Sequence, residues 1–196
     1  DAAQNNNTIA TPLVVAFYPT PSTLSGTTPA QTTTPLVTVG NGAAGLTSYI
    51  YWDSGCVTTK GNTAMAGATV AVTSDAVATN AITTFYAKFK DAGNNYSACS
   101  TANFAFTNDI IGPTVTITTT TNPTVKTSLI PITITFSEAV TGFVVGDIGA
   151  TNGTLSNFAG SGANYTVDVT PSSTIIQTNI TLSIAASVAV DAAQNN

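Results

Sequence analysis

Apolar side chains alternate with threonine or serine in short runs along this chain, and a period of two is the mark of strands with one buried and one wet face. In Pro131–Phe136, Ile132, Ile134 and Phe136 share one face while Thr133 and Thr135 share the other. The pattern repeats in Val115 and Ile117, in Tyr165, Val167 and Val169, and in Ile180, Leu182 and Ile184, each set interleaved with polar residues. The first half is less regular, with Val70 and Val72, then Phe85, Ala87 and Phe89 opposite Tyr86, Lys88 and Lys90. Helical periodicity is nearly absent. Turn signals such as Asp91-Ala92-Gly93-Asn94-Asn95 separate the runs, so the chain is expected to be all-β, built as sandwiches or barrels of short strands.

The string Asp1-Ala2-Ala3-Gln4-Asn5-Asn6 returns as Asp191-Ala192-Ala193-Gln194-Asn195-Asn196, a period of 190 residues. This points to one unit of a tandem array, against the alternative of a duplicated linker flanking a single module. With 43% hydrophobic and 7% charged residues, the composition is that of a chain that folds. His and Arg are absent, and Lys60, Lys88, Lys90 and Lys126 are the only side-chain cations. Nucleic acid is therefore excluded as an expected partner, because neutralising phosphates takes clustered cations. No apolar run has the length of a membrane span, and any export signal is expected to lie outside these residues.

Cys56 and Cys99 fit neither a redox CxxC pair nor a zinc cluster. A disulfide, implying an oxidising setting outside the cytoplasm, is expected over the alternative of two reduced buried thiols.

A boundary near Asn108-Asp109-Ile110-Ile111-Gly112-Pro113 divides the chain into units 1–109 and 110–196, each long enough for a small seven-stranded sandwich. In the second unit, Ile134-Thr135-Phe136-Ser137-Glu138-Ala139-Val140-Thr141-Gly142-Phe143, then Gly146-Asp147-Ile148, Thr151-Asn152-Gly153-Thr154-Leu155 and Val190-Asp191-Ala192-Ala193-Gln194-Asn195, resemble the bacterial Ig-like domains of giant surface proteins and adhesins. The first unit, through Thr84-Phe85-Tyr86-Ala87-Lys88, Asp91-Ala92-Gly93-Asn94 and Ser97-Ala98-Cys99-Ser100, is similar to another Ig-like repeat type, more loosely. The resemblance implies two tandem immunoglobulin-like sandwiches forming one repeat of a longer extracellular array on a bacterial cell surface, a spacer or stalk often stiffened by calcium at its junctions. Gln194 stands where the family carries glycine, which weighs against a tight turn with positive φ at that position.

The residues themselves allow calcium. In a seven-stranded sandwich the loops after the second and sixth strands cluster at the pole where the chain enters. Glu138 and Asp147 flank the loop after the second strand of the second unit, and Asp109 lies in the linker entering that pole. Asp53 and Asp91 are expected near the first unit's incoming segment, which starts at Asp1, and Asp191 and Asn195 would meet a following copy in the same way. Such carboxylates are the hard oxygen donors that Ca²⁺ takes, although Asp and Asn also populate turns for backbone reasons alone.

Catalysis finds no support. A chain without His and Arg has no Ser-His-Asp or Cys-His arrangement and no guanidinium clamp, and no paired-carboxylate or phosphate-loop motif stands out. The competing function is a carbohydrate- or surface-binding module using Tyr49 and Tyr51 as a ligand platform. Against it, Ile50 and Trp52 on the opposite face of that strand read as core. Partners are expected to be neighbouring copies, in tandem and by lateral association of polar strand faces.

Overall fold

A computed structural model describes residues 19–120, 129–172 and 179–196. The described residues are strands, turns and loops, with a single 3-10 turn at Val145–Asp147 and no α-helix.

The first half supplies seven strands: β1 (Thr23–Ser25), β2 (Leu36–Gly40), β3 (Thr47–Tyr51), β4 (Thr59–Ala64), β5 (Thr69–Thr73), β6 (Ala81–Lys90) and β7 (Phe104–Asn108). They form an antiparallel sheet in the order β1-β2-β5 and a second in the order β4-β3-β6-β7. The alternation decides which side is buried. Val37, Val39 and Val72 from the first sheet meet Ile50, Phe85, Ala87, Phe89 and Phe106 from the second in one core. Residues between them on β6, Tyr86 and Lys88, stay half-buried on the outer face. Trp52 packs half-buried against this core, on the side its parity predicts, and its indole N–H donates to Ser74 Oγ at 3.4 Å.

The second half carries β8 (Val115–Thr119), β9 (Ile130–Val140), β10 (Ile148–Thr151), β11 (Gly153–Pro171) and β12 (Thr181–Ile184). One sheet runs β11-β9-β8 and the other is the pair β10-β12. The long β11 folds back on itself: the Ser172 N–H donates to the Asn152 carbonyl at 2.9 Å and Asn157 Nδ2 donates to Asp168 Oδ2 at 2.9 Å. The reversal falls at Gly160-Ser161-Gly162, where both glycines have positive φ, 126° and 62°, and a side chain on Gly160 would collide with the Asn164 carbonyl. Ile132, Ile134 and Phe136 of β9, Tyr165, Val167 and Val169 of β11 and Ile148 of β10 form a second core that shares no residue with the first. Phe136, Phe143 and Tyr165 meet edge to face with centroids 5.0–6.0 Å apart. On β8 the outward threonines are not idle: Thr116, Thr118 and Thr119 hydroxyls donate to the carbonyls of Thr135, Thr133 and Pro131 on β9.

The strand faces follow the sequence pattern in both halves, but the number of strands in the second does not. Seven were expected; the five stretches seen among the described residues make six strands, since β11 turns back on itself and counts twice.

Candidate metal centre

Each half carries a turn of the same chemistry. After β6, the Asp91 carboxylate accepts the backbone N–H of Asn95 at 2.8 Å and its side-chain amide at 3.0 Å, while the Asp91 N–H donates to the Asn95 carbonyl at 3.1 Å. Asp191 holds Asn195 in the same way, at 2.8 Å, 2.8 Å and 3.0 Å. Short polar side chains that bond nearby backbone explain why Asp opens and Asn closes each turn. The fourth position is left-handed in both, Asn94 at φ 65° and Gln194 at φ 70°. The glycine-to-glutamine departure therefore does not abolish the positive-φ turn, as the sequence had suggested. Asp191's two oxygen contacts and a Gln194 N–H bond to the Asp191 carbonyl at 3.3 Å hold it in place. The left-handed conformation costs a non-glycine residue on the order of 1 kcal/mol. Gln194→Gly is accordingly expected to raise stability by about 0.5–1 kcal/mol in urea unfolding. A fall instead would mean that the 3.4 Å bond from Gln194 Nε2 to the Asp191 carbonyl outweighs the strain.

The second turn builds a site that the first does not. Asn195 Nδ2 reaches the carbonyl of Asp109 at 3.1 Å, drawing the segment after β7 against the turn. Asp109, Glu138 and Asp191 then each present a carboxylate oxygen, all within 4.8 Å of one another. Asp191 is 1% exposed, and the other two are half-buried. Burial first, then the neighbouring Asp191 and Asp109 carboxylates, push the Glu138 carboxyl above its ordinary value. The lysines among the described residues are committed in the first half, with Lys60 4.4 Å from the centre of the Trp52 ring, Lys88 over Tyr51 and Lys90 over Tyr49 and Tyr96. Three carboxylates, one of them sealed from water, form a donor set that suits a hard divalent cation such as Ca²⁺, with backbone carbonyls and water completing six to eight ligands.

The structure sorts the sequence candidates. Asp109 and Glu138 come together as expected, and Asp191 joins them within one copy. Asp147 does not: its Oδ2 accepts the Val144 N–H at 2.7 Å and closes the 3-10 turn. Asp53 accepts the Val57 N–H at 3.1 Å in a loop, and Asp91 serves its own turn, so neither belongs to a group of three metal-type side chains among the described residues. Asp1 lies outside the described residues. Asn195 contributes by positioning, through its bonds to Asp109 and Asp191. Sequence reading had given Asp191 to the junction with a following copy, and the matching spacing of Asp91–Asn95 and Asp191–Asn195 marks the turn but not the set it joins.

The other singled-out residues resolve as structure. Cys56 and Cys99 form a disulfide with Cα atoms 5.8 Å apart. Tyr51 is 3% exposed, whereas an outward position on β3 would leave it open. Lys88 lies across its ring and donates to the Cys56 carbonyl at 3.3 Å, placing the disulfide-bearing loop over this face. Tyr49 is half-buried and meets Tyr96 edge to face at 5.8 Å. Tyr49 and Tyr51 therefore do not make an exposed two-ring stacking platform. None of the described helical segments is long and apolar enough to cross a membrane.

Compared with known families, residues 109–196 match the model of a bacterial Ig-like domain, a span that begins at Asp109 and holds all three clustered carboxylates. No curated protein matches the chain.

Proposed function

From the premise that residues 109–196 are a bacterial Ig-like domain, we propose that the chain is a non-enzymatic structural unit, two sandwiches in tandem, repeated in an extracellular filament, stalk or adhesin of a bacterial surface. The observation that carries this reading is the Asp191–Asn195 turn, which repeats the string of residues 1–6 and is bonded to the linker at Asp109. A string that returns after 190 residues and is tied to an inter-unit linker is what a repetitive spacer needs. Calcium at Asp109, Glu138 and Asp191 would fix that linker and stiffen the unit. Residues 1–18 and 173–178 lie outside the described residues, so the equivalent junction preceding the first half rests on sequence alone.

Bacterial Ig-like domains are in general structural modules, and surface location is supported by the disulfide, which persists in oxidising surroundings. Burial of Tyr51 counts against the sugar-binding alternative. Small-angle scattering of a two-copy chain tests the spacer: its longest dimension is expected to be close to double that of one copy, and to grow further on adding calcium. A compact two-copy particle, or a sugar that perturbs Trp52 fluorescence, would favour a binding module instead.

A further inference from the structure

The second sheet of the second half is a pair, and the place beside β12 is open. In the first half, β6 carries β3 on one edge and β7 on the other. β12 lies in the comparable position, ten to seven residues before Asp191 as the first four residues of β6 are before Asp91, although the chain leaves the strand at Ile184 and Val190 bridges to Thr141 instead; among the described residues β12 pairs with β10 alone. Beside it runs an open groove lined by Thr114, Val115, Phe136, Ile184, Val188 and Ala189. Ile184 and Val115 border that groove half-buried.

We infer that this groove receives an apolar strand, Leu13–Tyr18, from a second copy of the chain, completing the sandwich as its seventh strand. Three observations converge on this segment. β7 begins nine residues after Asn95 and ends thirteen after it, and the same distances counted from Asn5 fall on Val14 and Tyr18. Because residues 191–196 repeat residues 1–6, residues 7–18 are the sequence that follows this turn wherever the array continues. The segment Leu13-Val14-Val15-Ala16-Phe17-Tyr18 is uncharged and rich in β-formers, and in the register counted from Asn95 its Val14, Ala16 and Tyr18 take the places of Phe104, Phe106 and Asn108, the residues that β7 turns inward. Geometry adds a requirement. Asn196 lies beside Gly112, close enough that a side chain on Gly112 would meet the Asn196 carbonyl at 2.6 Å, so the chain leaves the turn at the pole where it came in. An end-to-end array must cross to the opposite pole, and a strand of about six residues, roughly 20 Å long, makes that crossing. The inference thus rests on the tandem-array reading and gives the array its joint: each unit is finished by the next.

The test appends a second copy of residues 7–18 to the full chain after Asn196 and follows hydrogen exchange along β12. The β12 amides not bonded to β10 are expected to slow on the order of a hundredfold. Ala16→Asp in the appended copy, at the place of the buried Phe106, should restore fast exchange. Sedimentation supplies an independent reading: the unextended chain should associate head to tail as concentration rises, and the extended chain should not, its groove being filled. Unchanged exchange in β12, or equal slowing with the Asp variant, overturns the inference. Slowed β12 exchange in a two-copy chain that scatters as a compact particle would leave strand donation standing and remove the spacer reading. The reverse pair of results would remove only the donated strand.

Discussion

Replacing both Cys56 and Cys99 by alanine, or reducing the bond between them, is expected to destabilise the first half by about 4 kcal/mol and leave the second half untouched. The magnitude follows from the 43-residue separation: without the link the unfolded chain regains the entropy of an open loop of that length. The bond joins the loop after β3 to the segment between β6 and β7, which are neighbours on the four-stranded sheet through β6. For a domain of this size the loss corresponds to a fall of about 20 °C in Tm. Trp52 is the sole tryptophan and packs on the first core, so its fluorescence reports that half alone. Far-ultraviolet circular dichroism should then resolve a second transition that does not move. A drop under 1 kcal/mol, or a joint fall of both transitions, would contradict the separate cores.

Calcium should stabilise the second half, and the gain should vanish in Glu138→Gln. At a hundred times its dissociation constant a ligand that binds only the folded state adds about 2.7 kcal/mol, or roughly 10–20 °C for a domain of this size. The pH dependence without metal has a definite sign. Glu138 has its folded value raised above the ordinary 4.5 by burial, Asp191 and Asp109. Its contribution to stability is therefore complete below the ordinary value and is lost as pH rises through the raised one. Glu138→Gln removes that loss, so the metal-free variant should become progressively more stable than the parent above pH 4.5, while ceasing to respond to calcium. A difference between variant and parent that stays flat from pH 4.5 to 7, together with equal calcium responses, would dismiss the cluster as a cation site.

The strand faces were legible because burial on one side of a sheet imposes a period of two, and Ile132, Ile134 and Phe136 obey it with Thr133 exposed between them. The disulfide was legible from cysteine count and spacing. The metal cluster was half legible. Asp109 and Glu138 were placed by reasoning about which loops share a pole, but Asp147 was misassigned because a carboxylate near a loop can equally close a short turn on its own backbone. Asp191 was read as a ligand at the junction with a following copy rather than in this set, for a different reason: its partners here lie 82 and 53 positions away, and only the fold-back of Asn195 onto the Asp109 carbonyl brings them together. Tyr51 shows the limit of parity. Its position is outward, yet a loop stapled by Cys56 and spanned by Lys88 covers it, and such coverage leaves no trace in alternation.

The Cys56–Cys99 link also governs what happens when such a chain is pulled. Tension applied along the backbone passes across the bridge from Cys56 to Cys99, whose Cα atoms are 5.8 Å apart, and bypasses everything between them. The 43-residue interval, roughly 145 Å of contour if drawn straight, is withheld from extension. β4, β5 and β6 lie inside it, so a first half that yields can lengthen only by its flanks. A tether made of these units would reach the end of its give early and recoil with its central strands still close together.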